Sequence, residues 1–157
     1  MKITLILNGK TEDEHIIKGF AIYEQRLKHY LGFETVVIPA LKNTKALSIE
    51  QQKQKEGELL FKQIQPSDRL ILLDENGKEY SSVGFSEFIQ QQMNSGIKNL
   101  VFVVGGPYGF SDEVYKRANG KISLSKMTFS HQMVRLFFVE QVYRAMTILK
   151  GEPYHHL

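Results

Sequence analysis

The sequence predicts an α/β fold with a largely parallel sheet flanked by helices. Five short apolar segments alternate with helical segments along the 157 residues, as in chains built from β-α-β units. The fourth apolar segment, residues 100–104, contains no polar residue, which is typical of a strand buried on both faces. The length suits a single domain over residues 1–157.

The first half of the chain contains two predicted strands and two predicted helices. A strand at residues 3–7 is followed by residues 11–14, which have the Ser/Thr-x-x-Glu form of a capping box. Apolar residues at spacings of three and four then predict a helix that ends at Gly32. A second strand covers residues 33–38, and a polar helix is expected over residues 48–64.

The second half begins with a third strand at residues 69–73, closed by a predicted turn at residues 74–77. Ser111 is expected to cap a short helix, because acidic residues follow it in the first helical turn. The other predicted elements are a helix at 85–93, strands at 100–104 and 122–124, and a long helix at 130–150.

The long last helix is apolar on several faces. A surface helix has one apolar stripe, whereas a helix that is apolar nearly all round is buried. Two interpretations follow: a central core helix, or a helix shared between the core and a homodimer interface. We favour the second, because a 157-residue monomer has little room to surround a helix completely.

Three predicted strands end in unusual chemistry, at residues 73–74, 105–109 and 124–125. Ligands of parallel sheets bind beyond the carboxyl ends of the strands, and glycine lets a ligand approach the backbone closely. The segment Gly-Gly-Pro-Tyr-Gly at 105–109 is neither a P-loop nor the Gly-x-Gly-x-x-Gly dinucleotide fingerprint. Pro39 and Ala40 follow the second strand, where a ribose-binding acid would be expected in a Rossmann enzyme.

Composition narrows the function classes. The absence of cysteine excludes disulfides, thiolate catalysis and cysteine-based zinc sites. No His/Asp/Glu spacing fits a metal site, and no apolar run approaches the ~20 residues of a transmembrane helix. We therefore expect no metal, no membrane association and a cytoplasmic location. The net charge of +3 only slightly favours a nucleic-acid partner.

Several segments in order resemble the SPOUT family of RNA methyltransferases, over the whole chain. They are residues 72–74 with Gly77 and Lys78, and residues 104–109, 124–131, 134–135, 140–145 and 153–155. Each motif is weak alone, but their joint order together with the chain length and a Tyr-His tail is specific.

The resemblance implies a C-terminal trefoil knot that binds S-adenosylmethionine, and a homodimer in which the tail completes the active site. The implied reaction is methylation of N3 of a pseudouridine in 23S rRNA of the large ribosomal subunit, on the assembled ribosome. The residues expected to contact the cofactor are Leu73, Gly105, Leu124, Ser125, Lys126, Met127, Thr128 and Phe129.

The reaction requires removal of the N3 imide proton or stabilisation of the resulting anion. We expect His155 to act as base, Arg144 to stabilise the anion or bind phosphate, and Tyr154 to position the substrate base. Further substrate contacts are expected from His131, Arg135 and His156. Relatives often have a lysine or arginine after the Tyr-His pair; here His156 and Leu157 follow, which puts a terminal phosphate contact in doubt.

Two other hypotheses are compatible with the residues. One is a non-catalytic ribosome-binding or RNA-binding protein of the same fold. The other is an α/β enzyme that binds a different nucleotide at the glycines of residues 105–106. Binding of S-adenosylmethionine separates the methyltransferase from both.

Overall fold

Five parallel strands form one sheet in the computed structural model, which describes residues 1–156. The spatial order is β2-β1-β4-β3-β5. The strands are β1 (Lys2–Asn8), β2 (Gly32–Ile38), β3 (Arg69–Glu79), β4 (Asn99–Val104) and β5 (Gly120–Ser123). The predicted α/β class and parallel sheet are confirmed. The predicted knot stays a prediction.

Helices cover both faces of the sheet. Helices α1 (Glu14–Leu27), α3 (Ser82–Asn94) and α5 (Met133–Leu149) pack on one face, and α2 (Ile49–Phe61) and α4 (Asp112–Arg117) on the other. A short 3-10 turn, Thr44–Ala46, precedes α2. Two hydrophobic cores result, one on each side of the central strands, as expected for a sheet buried on both faces.

Helix α5 lies in the core, packed against both α1 and α3. Phe138, Val139 and Val142 have no solvent exposure, and the Phe138 ring lies 4.8 Å from the Phe102 ring of β4. Phe137, on another face, is 38% exposed. The apolar character of α5 is thus explained largely by the core, and its share in a dimer interface stays a prediction. Among residues 1–156, no helix is long and apolar enough to cross a bilayer.

Helix caps show where local sequence decides structure and where it does not. Ser48 and Gln51 form a capping box at α2, and the Ser111 hydroxyl accepts a bond from the Val114 N–H, as predicted for α4. The capping box predicted at residues 11–14 is wrong. Asp13 precedes α1 without a side-chain cap, and the side-chain amide oxygen of Gln132 (Oε1) accepts from the Glu12 N–H (2.8 Å) instead. A distant side chain therefore replaces the local cap.

The turn predicted at residues 74–77 is also wrong, because β3 continues to Glu79. Its pairing with β5 shifts register between Leu73 and Lys78, so the intervening residues form a bulge. A Cβ atom on Gly77 would lie 2.6 Å from backbone atoms of Ile122. The bulge therefore requires glycine at position 77. The other residues of the bulge are polar because they do not pair with β5 and are partly open to solvent.

Arg135 joins the start of α5 to the end of β1. It is 1% exposed, and its guanidinium donates to the carbonyls of Asn8 (2.8 Å) and Gly9 (3.0 Å) and to the Thr11 hydroxyl (2.9 Å). Its Nε also donates to the His131 carbonyl (3.0 Å). Burial lowers the pKa of Arg135, and the nearby Glu12 carboxylate partly offsets this. A side chain so enclosed does not fit the predicted contact of Arg135 with RNA.

We predict that Arg135→Met lowers the free energy of unfolding by about 2–4 kcal/mol, because the buried guanidinium and the bonds it donates to three partly buried carbonyls are lost. Arg135→Lys should lose most of the same free energy, since one ammonium cannot reproduce the planar guanidinium fork. Urea unfolding followed by circular dichroism measures both. Lys150→Met, at the exposed residue after α5, should change stability by less than about 0.5 kcal/mol. Equal stability of Arg135→Met and the unsubstituted protein would contradict the structural role.

Candidate functional site

A cavity of about 680 Å³ lies beyond the carboxyl ends of β4 and β5 and beside the bulge within β3. Its walls are the β3 bulge, the glycine loop (residues 105–109) and the connecting segment between β5 and α5 (residues 124–132). The volume falls within the ~300–1,000 Å³ of small-molecule sites. The three strand ends singled out in the sequence therefore converge on one cavity.

Most residues expected to contact the cofactor line this cavity. They are Leu73, Gly105, Leu124, Ser125, Met127, Thr128 and Phe129, and His131 lines it as well. Lys126 does not: its side chain is 85% exposed, with Nζ 3.8 Å from a Glu79 carboxylate oxygen. Ligand contact by the lining residues stays a prediction.

Several lining residues were not among the expected cofactor contacts, including Asp74, Glu75, Asn76, Tyr108, Tyr115 and Val134. The sequence did indicate Asp74, because this acidic residue directly follows a predicted strand. It did not indicate Tyr115, because only the fold brings the exposed face of α4 beside the β3 bulge.

The connecting segment is held at its start by two serine hydroxyls and in its middle by an aromatic contact to α5. The Ser123 hydroxyl donates to the Ser125 carbonyl (2.9 Å), and the Ser125 hydroxyl accepts from the Met127 N–H (3.0 Å). The Phe129 ring packs 4.8 Å from the Phe137 ring of α5. Met127 is nonetheless 77% exposed, which is unusual for a methionine. The segment thus presents its backbone and apolar side chains to the cavity.

The glycine loop needs Gly105 for a reason besides ligand approach. A Cβ atom there would lie 2.8 Å from the Phe110 ring, which is buried in the core beneath the loop. Gly109 has a φ of +81°, and its N–H donates to the Gly106 carbonyl. A larger residue at position 105 would therefore displace Phe110 whether or not a ligand binds.

Arg144, Tyr154 and His155 form a second cluster together with Glu140. Arg144 donates through Nη2 to the Glu140 carboxylate (2.5 Å), and the Tyr154 hydroxyl donates to the same oxygen (2.9 Å). Arg144 Nη1 lies 3.1 Å from His155 Nδ1. A guanidinium can only donate, so Nδ1 accepts, and a neutral His155 carries its proton on Nε2. Glu140 was missed as a site residue, although its i,i+4 spacing to Arg144 was a signal.

The tail is packed against the helices. The Tyr154 ring lies 4.8 Å from the Tyr143 ring, and the Tyr154 hydroxyl is 3.4 Å from that of Tyr23. Burial, then hydrogen bonding to Tyr23 and Glu140, raises the pKa of Tyr154 well above its ordinary range. Tyr154 is therefore a protonated phenol at neutral pH. His156 is exposed, and Leu157 lies outside the described residues.

The cavity and the cluster of Glu140, Arg144, Tyr154 and His155 lie at different levels along α5. Val134 lines the cavity, whereas Arg144 lies ten residues further along, about 15 Å at the ~1.5 Å rise per residue of a helix. None of Glu140, Arg144, Tyr154 and His155 lines the cavity. The described chain therefore carries two separate halves of the predicted site.

Comparison with known proteins gives the family. A family model described as "Predicted SPOUT methyltransferase" matches residues 1–155. The chain belongs to the SPOUT methyltransferase family. Relatives named "Ribosomal RNA large subunit methyltransferase H" are 63% identical in Christiangramia forsetii, 62% in Flavobacterium psychrophilum and 59% in Bacteroides thetaiotaomicron. Each match covers 99% of this chain and 99% of the relative.

Among residues 1–156 of this SPOUT methyltransferase, no three His, Asp or Glu side chains are grouped as a metal site would need.

Glu56 lies behind the glycine loop, where its carboxylate is 2.8 Å from the position that a Cβ atom on Gly106 would take. It lines a second cavity of about 210 Å³. Burial raises the pKa of Glu56. The charged form is therefore disfavoured in the folded state.

We predict that Glu56→Gln raises the melting temperature by about 1–3 °C at pH 7, a small shift because Glu56 is half-buried and screened by solvent. Because the pKa of Glu56 is higher in the folded than in the unfolded state, protonated Glu56 contributes its full stability at pH values below the unfolded-state pKa. That contribution is lost as the pH rises through the folded-state pKa. The difference should therefore vanish near pH 4. Scanning calorimetry at both pH values measures it. Glu58→Gln, an exposed residue of the same helix, is the control, and an equal shift there would contradict the prediction.

Proposed function

We propose that this chain methylates N3 of a pseudouridine in 23S rRNA of the large ribosomal subunit, with S-adenosylmethionine as methyl donor. The observation that carries the proposal is about 60% identity, over nearly the full length of both chains, to relatives named as methyltransferases of large-subunit ribosomal RNA. The pseudouridine and its N3 atom follow from the family resemblance. A ribosomal substrate also implies a cytoplasmic site of action.

The cavity at the strand ends fits S-adenosylmethionine in size and chemistry. Leu73, Leu124 and Phe129 provide apolar walls for an adenine ring, and the backbone of the connecting segment offers donors and acceptors for its edge. When bound, the cofactor supplies a methyl group made electrophilic by the adjacent sulfonium. No covalent enzyme nucleophile is therefore required.

The cluster of Arg144, Tyr154 and His155 suits stabilisation of a pseudouridine anion. The attacking N3 atom must first lose its imide proton, and donors aimed at the ring oxygens lower the free energy of the anion. Arg144 keeps N–H groups beyond the two bonds described, and a neutral His155 offers Nε2–H. We therefore assign His155 as a hydrogen-bond donor rather than the base expected from the sequence, and the N3 proton passes to water.

Two copies of the chain are needed to assemble this site. Within one chain the cluster lies at the far end of α5 from the cavity, so we propose that each cavity is completed by the cluster of a partner subunit. Exposed apolar side chains near the cavity, Met127 (77% exposed) and Phe137 (38%), support an interface there. A stable homodimer should bury more than roughly 1,000 Å².

The first test is cofactor binding followed by methyl transfer. We predict micromolar binding of S-adenosylmethionine by calorimetry, since the cavity encloses a ligand of this size. Tritiated methyl groups should be incorporated into large subunits that carry the pseudouridine but lack the methyl group, and mass spectrometry should assign them to N3. A folded protein that binds no S-adenosylmethionine would overturn the proposal and favour a non-catalytic RNA-binding protein.

The second test concerns the shared site. One subunit lacks residues 154–157 and the other carries Leu124→Arg, which places a cation in the cavity. Each homodimer should be inactive, whereas a heterodimer purified through two different tags should have one intact site and about half the wild-type activity. Calorimetry should show that the truncated homodimer still binds cofactor. An inactive heterodimer would show that the cavity and cluster act within one chain.

A further inference from the structure

Asp74 places a fixed carboxylate in the wall of the large cavity. Its Oδ2 accepts a bond from the Tyr115 hydroxyl (2.5 Å), and its Oδ1 accepts from the Asn76 N–H (2.8 Å). Both oxygens keep a further lone pair, because a carboxylate has about four acceptor positions. The β3 bulge therefore orients one negative charge at the cavity wall.

This charge is not neutralised by the residues around the cavity. No Lys or Arg lines it, and Glu75 adds a second carboxylate at the exposed rim. Within the described residues, neither Asp74 nor Glu75 takes part in an ion pair. Lys121, whose Nζ lies 5.4 Å from the centre of the Tyr115 ring, does not line the cavity. The cavity is therefore electronegative in a chain with net positive charge.

Tyr115 links Asp74 to the glycine loop. Its ring packs edge-on against Phe110 (5.8 Å), the residue whose ring lies against Gly105. Burial, then the bond to Asp74, raises the pKa of Tyr115 to about 12. The phenol is therefore a permanent donor at neutral pH, and it keeps the carboxylate in one orientation.

We propose that Asp74, oriented by Tyr115, recognises the positive charge of the methyl donor and makes the cavity prefer it to the uncharged thioether product. This inference rests on the proposed function, because it takes S-adenosylmethionine as the donor. S-adenosylmethionine and S-adenosylhomocysteine differ by one methyl group and one positive charge, which sits on sulfur. A carboxylate in a cavity partly shielded from water separates two such ligands by charge. The same preference promotes release of the product after transfer.

The test compares both ligands by calorimetry with three variants. Asp74→Asn keeps an acceptor for Tyr115 but removes the charge, so it should weaken S-adenosylmethionine binding about five- to ten-fold and change S-adenosylhomocysteine binding by less than about two-fold. Asp74→Glu should keep most of the preference. Tyr115→Phe keeps the charge but frees the carboxylate, and should lose part of the preference. Glu113→Gln, an exposed acid of α4 outside the cavity, is the matched control.

A measurement on the unsubstituted protein is independent of how the variants fold. The preference for the charged ligand should decrease as sodium chloride is raised from low to molar concentration, because salt screens the carboxylate. A salt-independent preference, or equal weakening of both ligands by Asp74→Asn, would overturn this inference and leave the proposed function intact. Binding of neither ligand by the unsubstituted protein would overturn the proposed function and this inference with it.

Discussion

The buried guanidinium of Arg135 is the interaction on which the rest of the site depends. It binds carbonyls at the end of β1 and at His131, so it fixes the first turn of α5 against the edge of the sheet. Gln132 acts beside it by accepting from backbone N–H groups before α1. The connecting segment must then run from the end of β5 to the first turn of α5, and this path lies along the cavity. A residue with no side-chain contact to the cavity thus determines the shape of one wall.

The sheet supplies the other walls through its parallel arrangement. Because β3, β4 and β5 all run the same way, the bulge within β3 and the carboxyl ends of β4 and β5 meet at one edge, and each contributes a different chemistry. The β3 bulge is possible only with Gly77, since any Cβ atom there would collide with the β5 backbone. The bulge takes Asp74 out of the ladder and exposes its carboxylate to the cavity. The β3 bulge therefore determines both the shape of this wall and the position of its carboxylate.

Helix α5 connects core packing with the proposed chemistry. Its buried face stabilises the sheet, its first turn lines the cavity, and its middle and second half carry Glu140 and Arg144 respectively. A rigid helix keeps these two regions apart in one chain. The tail does not shorten the distance, because Tyr154 and His155 pack against the same end of α5 as Arg144. Rigidity within the subunit is therefore the reason for proposing that a second subunit completes the site.

The sequence by itself determined the α/β class, all five strands, the cap of α4 and the three segments that form the cavity walls, because these depend on local periodicity and on residue type. The family, too, was evident from short motifs in order. Tertiary structure alone decided the cap of α1, the bulge at residues 74–77, the enclosure of Arg135 and the exclusion of Lys126 from the cavity. Three of these depend on a partner distant in sequence: Gln132 for the cap, the β5 backbone for the bulge, and the end of β1 for Arg135. Local patterns cannot specify which distant group satisfies a donor or which backbone approaches a glycine.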